Sequence, residues 1–92
     1  MLLYIVSYDV SCNKRRKKVS DLLEGYGKRV QYSVFECVLV PRKYNELRQR
    51  LVGRINVKED SIRIYPVSGH TLQKVEIWGG VPLTQMQGSI II

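Results

Sequence analysis

The apolar positions in the first third of the chain predict a buried strand followed by an amphipathic helix. Residues 2–8 form a nearly continuous apolar segment, which is typical of a central strand covered on both faces, and Asp9 stands at its C-terminal end. Apolar residues then recur at helical spacing, at Val19, Leu22, Leu23 and Tyr26. The candidates for the residues that begin and end this helix are Ser11, Asn13, Gly25 and Gly27.

The rest of the pattern predicts further strands around a second helix. Residues 29–40 favour strand, but their apolar positions change parity partway, which indicates a bulge or a tight reversal. Pro41 can begin a second helix, whose apolar face consists of Tyr44, Leu47, Leu51 and Ile55. Residues 62–65 predict a strand that ends at Pro66, and residues 71–78 alternate as another strand.

The order of these elements predicts the fold class. Strand, helix, one long or two short strands, helix and strand give a βαββαβ order, the ferredoxin-like arrangement of the α+β class. A chain of 92 residues suffices for one compact domain, so residues 1–92 are predicted to be a single ferredoxin-like domain. The apolar tail, residues 81–92, would promote aggregation in water, so we expect an extra strand that pairs with a sheet edge, across a homodimer.

The charge of the chain favours an anionic polymer as a partner. Lys and Arg number 15 against 8 Asp and Glu, a net charge of +7. Five of these cations lie together in residues 14–18 at the start of the first predicted helix, where the helix dipole and free N–H groups also attract phosphate. The alternative is a solvated basic face. No pairing of aromatic residues predicts a base-stacking platform, so contacts to a nucleic-acid backbone are favoured over base reading.

Several other functions are disfavoured by the sequence. Cys12 and Cys37 lack metal-ligand spacing and accompany a single histidine, His70, so neither zinc nor a disulfide framework is predicted and a reducing cytoplasm fits best. The apolar N-terminus is shorter than the roughly 20 residues of a membrane span. His70 is either a proton donor or a surface residue. No recognisable motif activates the candidate nucleophiles Ser7, Ser11 and Ser33.

Asp9 is the candidate for metal-dependent chemistry. A carboxylate at the end of a buried strand is costly unless it is hydrogen-bonded or binds a cation, whereas Glu59 and Asp60 fall in surface-like contexts. A structural role for Asp9, as a helix cap or a partner of the basic cluster, is equally open. Mg²⁺ is usually held by one or two carboxylates with waters and phosphates. Two copies of Asp9 at a dimer axis would therefore make a better site than one.

Four blocks of sequence resemble the CRISPR-associated Cas-two family. They lie between residues 6 and 66, in the order and spacing that the family shows, and are specific only together. The blocks are Val6-Ser-Tyr-Asp-Val10, Lys14-Arg-Arg-Lys-Lys-Val19, Gly25-Tyr-Gly-Lys-Arg-Val-Gln-Tyr-Ser-Val-Phe-Glu36 and Asp60-Ser-Ile-Arg-Ile-Tyr-Pro66. The resemblance implies a ferredoxin-like homodimer, with C-terminal strands packed across the subunit boundary, that serves spacer acquisition in antiviral defence alongside the CRISPR integrase.

The resemblance also implies a magnesium-dependent endonuclease that acts on single-stranded RNA or double-stranded DNA, with Asp9 as the Mg²⁺ ligand. Arginines suit phosphate by charge and bidentate hydrogen bonds, whereas core packing explains Phe35 equally well. Cys12 stands where many relatives have a polar or acidic residue, which removes a possible second ligand. Together with the basic cluster, the predicted nucleic-acid-binding residues are Tyr8, Lys14, Arg15, Arg16, Lys17, Arg29, Ser33 and Phe35.

Two other functions compete with the endonuclease. A non-catalytic dimeric adaptor would hold duplex DNA by its phosphates and dock integrase subunits at its ends, and Asp9 would then be dispensable. A toxin-like ribonuclease on a related small fold would cleave RNA without any CRISPR partner. The block of residues 29–36 argues against this third function.

Overall fold

The computed structural model describes residues 1–84, which form four strands and three helices. In chain order the elements are β1 (Leu2–Asp9), α1 (Asn13–Glu24), β2 (Lys28–Gln31), β3 (Val34–Leu39), α2 (Pro41–Val52), β4 (Ser61–Val67) and α3 (Gly69–Leu72). The predicted βαββαβ order of the α+β class is therefore confirmed, with a short third helix added.

The strands form one antiparallel sheet in the order β2-β3-β1-β4, with β1 and β3 in the centre. Side chains of a strand alternate between its two faces. One face of the sheet packs against Val19 and Leu23 of α1 and Leu47 and Leu51 of α2, and this is the main core. The other face carries a smaller apolar cluster that contains Leu3, Ile5, Val38, Val67, Leu72 and Leu83.

The turn between α1 and β2 depends on two glycines. Helix α1 ends at Glu24, and Gly25 caps it, as predicted. Gly27 is required for a different reason, because a Cβ there would lie 2.3 Å from the Glu36 carbonyl oxygen and 2.5 Å from Cys37 Sγ. The predicted irregularity in the β-rich segment is also confirmed, since the β2–β3 register shifts between Arg29 and Gln31.

The predicted start of α1 was wrong. The residue that precedes the helix is Cys12, and its thiol, not the side chain of Ser11 or Asn13, lies against the backbone N–H groups of the first turn. Ser11 and Asn13 are engaged elsewhere, because Ser11 donates hydrogen bonds to Asp60 and the Asn13 side chain accepts one from Arg16. Because these two side chains bond to Asp60 and Arg16, neither accepts a hydrogen bond from the N–H groups at the start of the helix.

Two predictions in the C-terminal part were also wrong. Strand β4 continues through Pro66 to Val67, because an edge strand tolerates a proline where its missing N–H faces away from the sheet. The predicted strand at residues 71–78 does not form. Instead Ser68 caps α3, its Oγ accepting a hydrogen bond from the Thr71 N–H at 3.2 Å, and this local capping outweighs the alternating pattern.

The C-terminal tail is described only in part. Residues 81–84 form no strand, and residues 85–92, on which most of the predicted cross-dimer strand falls, lie outside the described residues. Within residues 1–84, no helix has the length and apolar character needed to cross a membrane.

Candidate functional site

Asp9 lies at the C-terminal end of central strand β1, as predicted, opposite Ser61 at the start of β4. It is solvent-exposed. Among residues 1–84, no donor forms a hydrogen bond or an ion pair with its carboxylate. The structural alternatives, a helix cap or a partner for the basic cluster, are therefore absent from the described residues. The carboxylate oxygens are free to bind a ligand from solvent.

The basic residues at the start of α1 divide into two groups. Lys14 and Lys17 are exposed, and Lys17 pairs with Asp21 at 2.9 Å on the helix surface. Arg16 is half-buried and donates to the Val10 carbonyl oxygen from Nε at 3.1 Å and from Nη2 at 2.9 Å. The lysines are therefore available to phosphate, while Arg16 also ties down the chain just after Asp9.

Arg15 is partly exposed and pairs with Asp60. Its Nε lies 2.7 Å from Asp60 Oδ2, and its Nη2 lies 3.1 Å from Oδ1, a bidentate arrangement. The Asp60 side chain is fully buried, so its predicted surface-like context was wrong. The predicted role of Arg15 in nucleic-acid binding stays a prediction, but two of the five N–H donors of its guanidinium are engaged by Asp60. This ion pair holds the pKa of Asp60 well below its usual range and raises the pKa of Arg15.

Tyr8, Arg29 and Phe35 form a second cluster, beside the turn between β2 and β3. Phe35 is fully buried, and the Arg29 guanidinium lies 4.9 Å from the centre of its ring. Arg29 Nη1 donates to the Tyr8 hydroxyl at 3.4 Å and to the Tyr32 carbonyl oxygen. The Ser33 carbonyl oxygen accepts from the Tyr8 N–H at 3.1 Å. Core packing therefore explains Phe35, and Arg29 holds the turn in place.

A shallow cleft of about 520 Å³ lies between the start of α1 and the cluster of Tyr8 and Arg29. It brings together four of the predicted nucleic-acid-binding residues, from β1, α1 and β2, with Tyr32 at its rim. Tyr32, which is 83% exposed, was not among the residues predicted from the sequence. A large aromatic residue in a predicted reversal was the available signal. The lining residues include Tyr8, Asn13, Arg16, Lys17, Arg29 and Tyr32.

The described residues offer few other groups for chemistry. No cluster of three or more His, Cys, Asp or Glu side chains that could hold a metal occurs within residues 1–84. Hydrogen bonds from the backbone N–H groups of Arg15 and Lys14 lower the pKa of the Cys12 thiol, whereas burial raises the pKa of Cys37 to about 12. His70 lies in α3 just after Val67, which pairs with Leu3 at the end of β1 remote from Asp9. His70 is therefore no part of this site.

Comparisons with known proteins show the family. A family described as CRISPR associated protein Cas2 matches residues 1–75. A Synechocystis protein named CRISPR-associated endoribonuclease Cas2 3 is 58% identical over all of both chains. A Thermus thermophilus protein named CRISPR-associated endonuclease Cas2 2 is 44% identical over 92% of this chain and 90% of its own. The chain belongs to the Cas2 family.

Solved structures support the same assignment. The crystal structure of Streptococcus pyogenes Cas2 has a TM-score of 0.74 and 38% identity, and the match covers 84% of this chain and 99% of that one. A chain of a partial Cas6-RT-Cas1-Cas2 complex has a TM-score of 0.77 and 33% identity, with both chains covered completely. The ferredoxin-like fold predicted from the element order is thus the fold of these Cas2 structures.

Proposed function

We propose that this protein is a CRISPR-associated endonuclease that hydrolyses phosphodiester bonds of single-stranded RNA or duplex DNA and acts in spacer acquisition. The observation that carries the proposal is the exposed carboxylate of Asp9, which no donor among residues 1–84 binds and which follows Tyr8, a residue that lines the cleft with Arg16, Lys17 and Arg29. The names of the relatives, which include both endoribonuclease and endonuclease, support the class of reaction. They leave both polymers as candidate substrates.

Asp9 suits magnesium as one ligand of a shared site. Mg²⁺ takes oxygen ligands and is commonly held by one or two carboxylates, waters and substrate phosphates, and Asp9 provides one such carboxylate with no protein donor among residues 1–84 bound to it. In a homodimer, the second copy of Asp9 would supply the second carboxylate ligand. When bound, the metal activates water and stabilises charge on the reacting phosphate. The homodimer stays a prediction from the sequence, because the apolar cluster on the sheet face opposite α1 and α2, which includes Leu3, Val67 and Leu72, is already buried within one chain.

The other residues of the site act on the nucleic-acid backbone. Lys14 and Lys17 are exposed at the start of α1, where helix N–H groups add positive potential. Arg16 and Arg29 line the cleft with their guanidinium groups fixed by protein carbonyl oxygens. Fixed donors lose little freedom when they bind phosphate, so these residues hold the nucleic-acid backbone in the cleft.

We keep the dimeric adaptor as a second proposal, because one observation favours it. The Asp9 carboxylate is isolated among residues 1–84, and a nuclease that depends on it requires ligands from outside the chain. The similarity to a chain of a Cas1-Cas2 complex supports a Cas1 integrase partner for this protein under either proposal. The adaptor would bind duplex DNA through the same cations and cleave nothing. A cytoplasmic location remains a prediction from the cysteine content.

Cleavage and binding, measured separately, distinguish the two proposals. Metal-stripped protein is incubated with single-stranded RNA and with duplex DNA, with and without Mg²⁺, beside the Asp9→Asn variant. Glu76→Gln is the matched control, because Glu76 is also exposed but is not among the residues that line the cleft. The endonuclease proposal predicts Mg²⁺-dependent cleavage that Asp9→Asn abolishes and Glu76→Gln retains, with binding unchanged. Equal binding by all three proteins without any cleavage would favour the adaptor.

A further inference from the structure

Asp60 connects three segments around the start of α1. Its carboxylate accepts hydrogen bonds from the Ser11 N–H at 3.3 Å, the Asn56 N–H at 2.9 Å and the Arg15 guanidinium at 2.7 and 3.1 Å. Ser11 lies two residues after Asp9, Arg15 lies in the first turn of α1, and Asn56 lies in the loop before β4. One buried side chain therefore fixes the loop that leaves Asp9, the first turn of α1 and the approach to β4.

This network bears directly on the position of Asp9. Asp60 precedes Ser61, and Ser61 is the residue of β4 that pairs with Asp9. The residues that follow the end of β1 and the residues that precede β4 are thus held by the same carboxylate. A buried carboxylate that loses its partner is costly, so the arrangement is rigid as long as both Arg15 and Asp60 are present.

We propose that the Arg15–Asp60 ion pair positions Asp9 and the basic start of α1 for cleavage, and that Arg15 acts through Asp60 and not as a phosphate ligand. The proposal rests on the proposed endonuclease function. Small displacements of a reacting group reduce rates strongly, so a loosened loop lowers kcat more than it changes KM. A phosphate contact has the opposite effect, since its loss raises KM.

Two single variants and their combination test the proposal. Asp60→Asn removes one negative charge near the basic surface, so electrostatics alone predicts equal or tighter substrate binding. Arg15→Lys keeps the charge but loses the planar fork that spans both carboxylate oxygens. We expect each variant to lower kcat about tenfold or more with little change in KM. The double variant should be no worse than the more severe single variant, because the two residues act as one unit.

Loss of global stability is separated from loss of positioning by a control at the far end of the sheet. Leu39 is buried and pairs with Leu2 at the opposite end of β1 from Asp9. Leu39→Ala or the milder Leu39→Val, whichever matches the lowered Tm of Asp60→Asn, should keep wild-type kcat well below its Tm. Hydrogen exchange should accelerate at residues 9–16 and 56–61 in Asp60→Asn, but not selectively there in the Leu39 variant.

The outcomes separate this proposal from the proposed function. Wild-type kcat in Asp60→Asn or Arg15→Lys, or an equal loss of kcat in the stability-matched Leu39 variant, would overturn the positioning role. If the wild-type protein itself cleaves nothing, the endonuclease proposal fails independently. The ion pair is then judged by exchange alone: selective acceleration at residues 9–16 supports it, and unchanged or uniform exchange overturns it.

Discussion

Asp9 and Asp60 lie at the same end of the sheet, on or next to neighbouring strands, yet their surroundings are opposite. Asp9 is exposed, and no donor within residues 1–84 binds it. Asp60 is buried and accepts hydrogen bonds from Arg15, Ser11 and Asn56. The neighbouring cations divide in the same way, because Lys14 is exposed whereas Arg15 pairs with the buried Asp60. The exposed side is proposed to bind ligands, and the buried side is proposed to hold it in place.

The largest effect expected from this division concerns Phe35. Phe35→Ala should destabilise the fold by about 3–5 kcal/mol, because a fully buried aromatic ring is lost from the main core. Urea denaturation measures the change. If the variant keeps wild-type stability but loses affinity for nucleic acid, then Phe35 belongs to the exposed side and the division is wrong.

The next effect is the pH dependence of stability due to Asp60. The folded-state pKa of Asp60 is depressed, so its contribution is fully present above the unfolded pKa of about 3.9 and is lost as pH falls below it. Asp60→Asn should lower Tm by several degrees at neutral pH. The difference in Tm between wild type and variant should then shrink from about pH 5 downward. A difference that stays constant to about pH 2 would contradict the assigned pKa shift.

A smaller effect is expected at Lys14. Lys14→Ala should weaken binding of RNA and duplex DNA a few-fold and reduce the slope of log affinity against log salt by about 1, because one phosphate contact is lost. Stability should not change. Lys74→Ala is the matched control, because Lys74 is also exposed but follows α3 at the remote end of β1. Equal losses in both variants would indicate diffuse electrostatics in place of a site at α1.

The smallest effect is expected for Asp9 itself, measured as stability. Asp9→Asn should change the free energy of unfolding by no more than about 0.5 kcal/mol, as is usual for exposed side chains without contacts. Thermal denaturation of Asp9→Asn and Asp60→Asn, measured in parallel, compares the two effects directly. A destabilisation of Asp9→Asn similar to that of Asp60→Asn would show that the two carboxylates do not differ in role.

Much of the fold was predictable because burial leaves a periodic pattern. The central strand β1, the apolar faces of α1 and α2 and the irregularity between Arg29 and Gln31 all followed from it. Residues 71–78 show where the pattern fails. Their alternation predicted a strand, but a strand also needs a partner edge, and the Ser68 cap begins a helical turn instead.

The places of the candidate site residues in the fold were predictable, but their hydrogen-bond partners were not. The end of a buried strand and the cluster of cations were enough to single out Asp9 and the start of α1. The pairing of Arg15 with Asp60 was not, because the two residues are 45 positions apart and come together only when β4 pairs with β1. In the sequence, adjacent cations such as Lys14 and Arg15 belong to the same basic cluster and cannot be told apart by their charge. Only the direction of the side chain separates them.

The most direct test of this division of roles is the rate of cleavage at saturating substrate as a function of Mg²⁺ concentration. It is measured for wild type, Asp9→Asn and Asp60→Asn, each confirmed to be folded. We expect Asp9→Asn to lose at least about a hundredfold in rate at every Mg²⁺ concentration. Asp60→Asn should keep the wild-type Mg²⁺ midpoint with a lower plateau. Wild-type rates in Asp9→Asn at saturating Mg²⁺ would contradict the role assigned to Asp9.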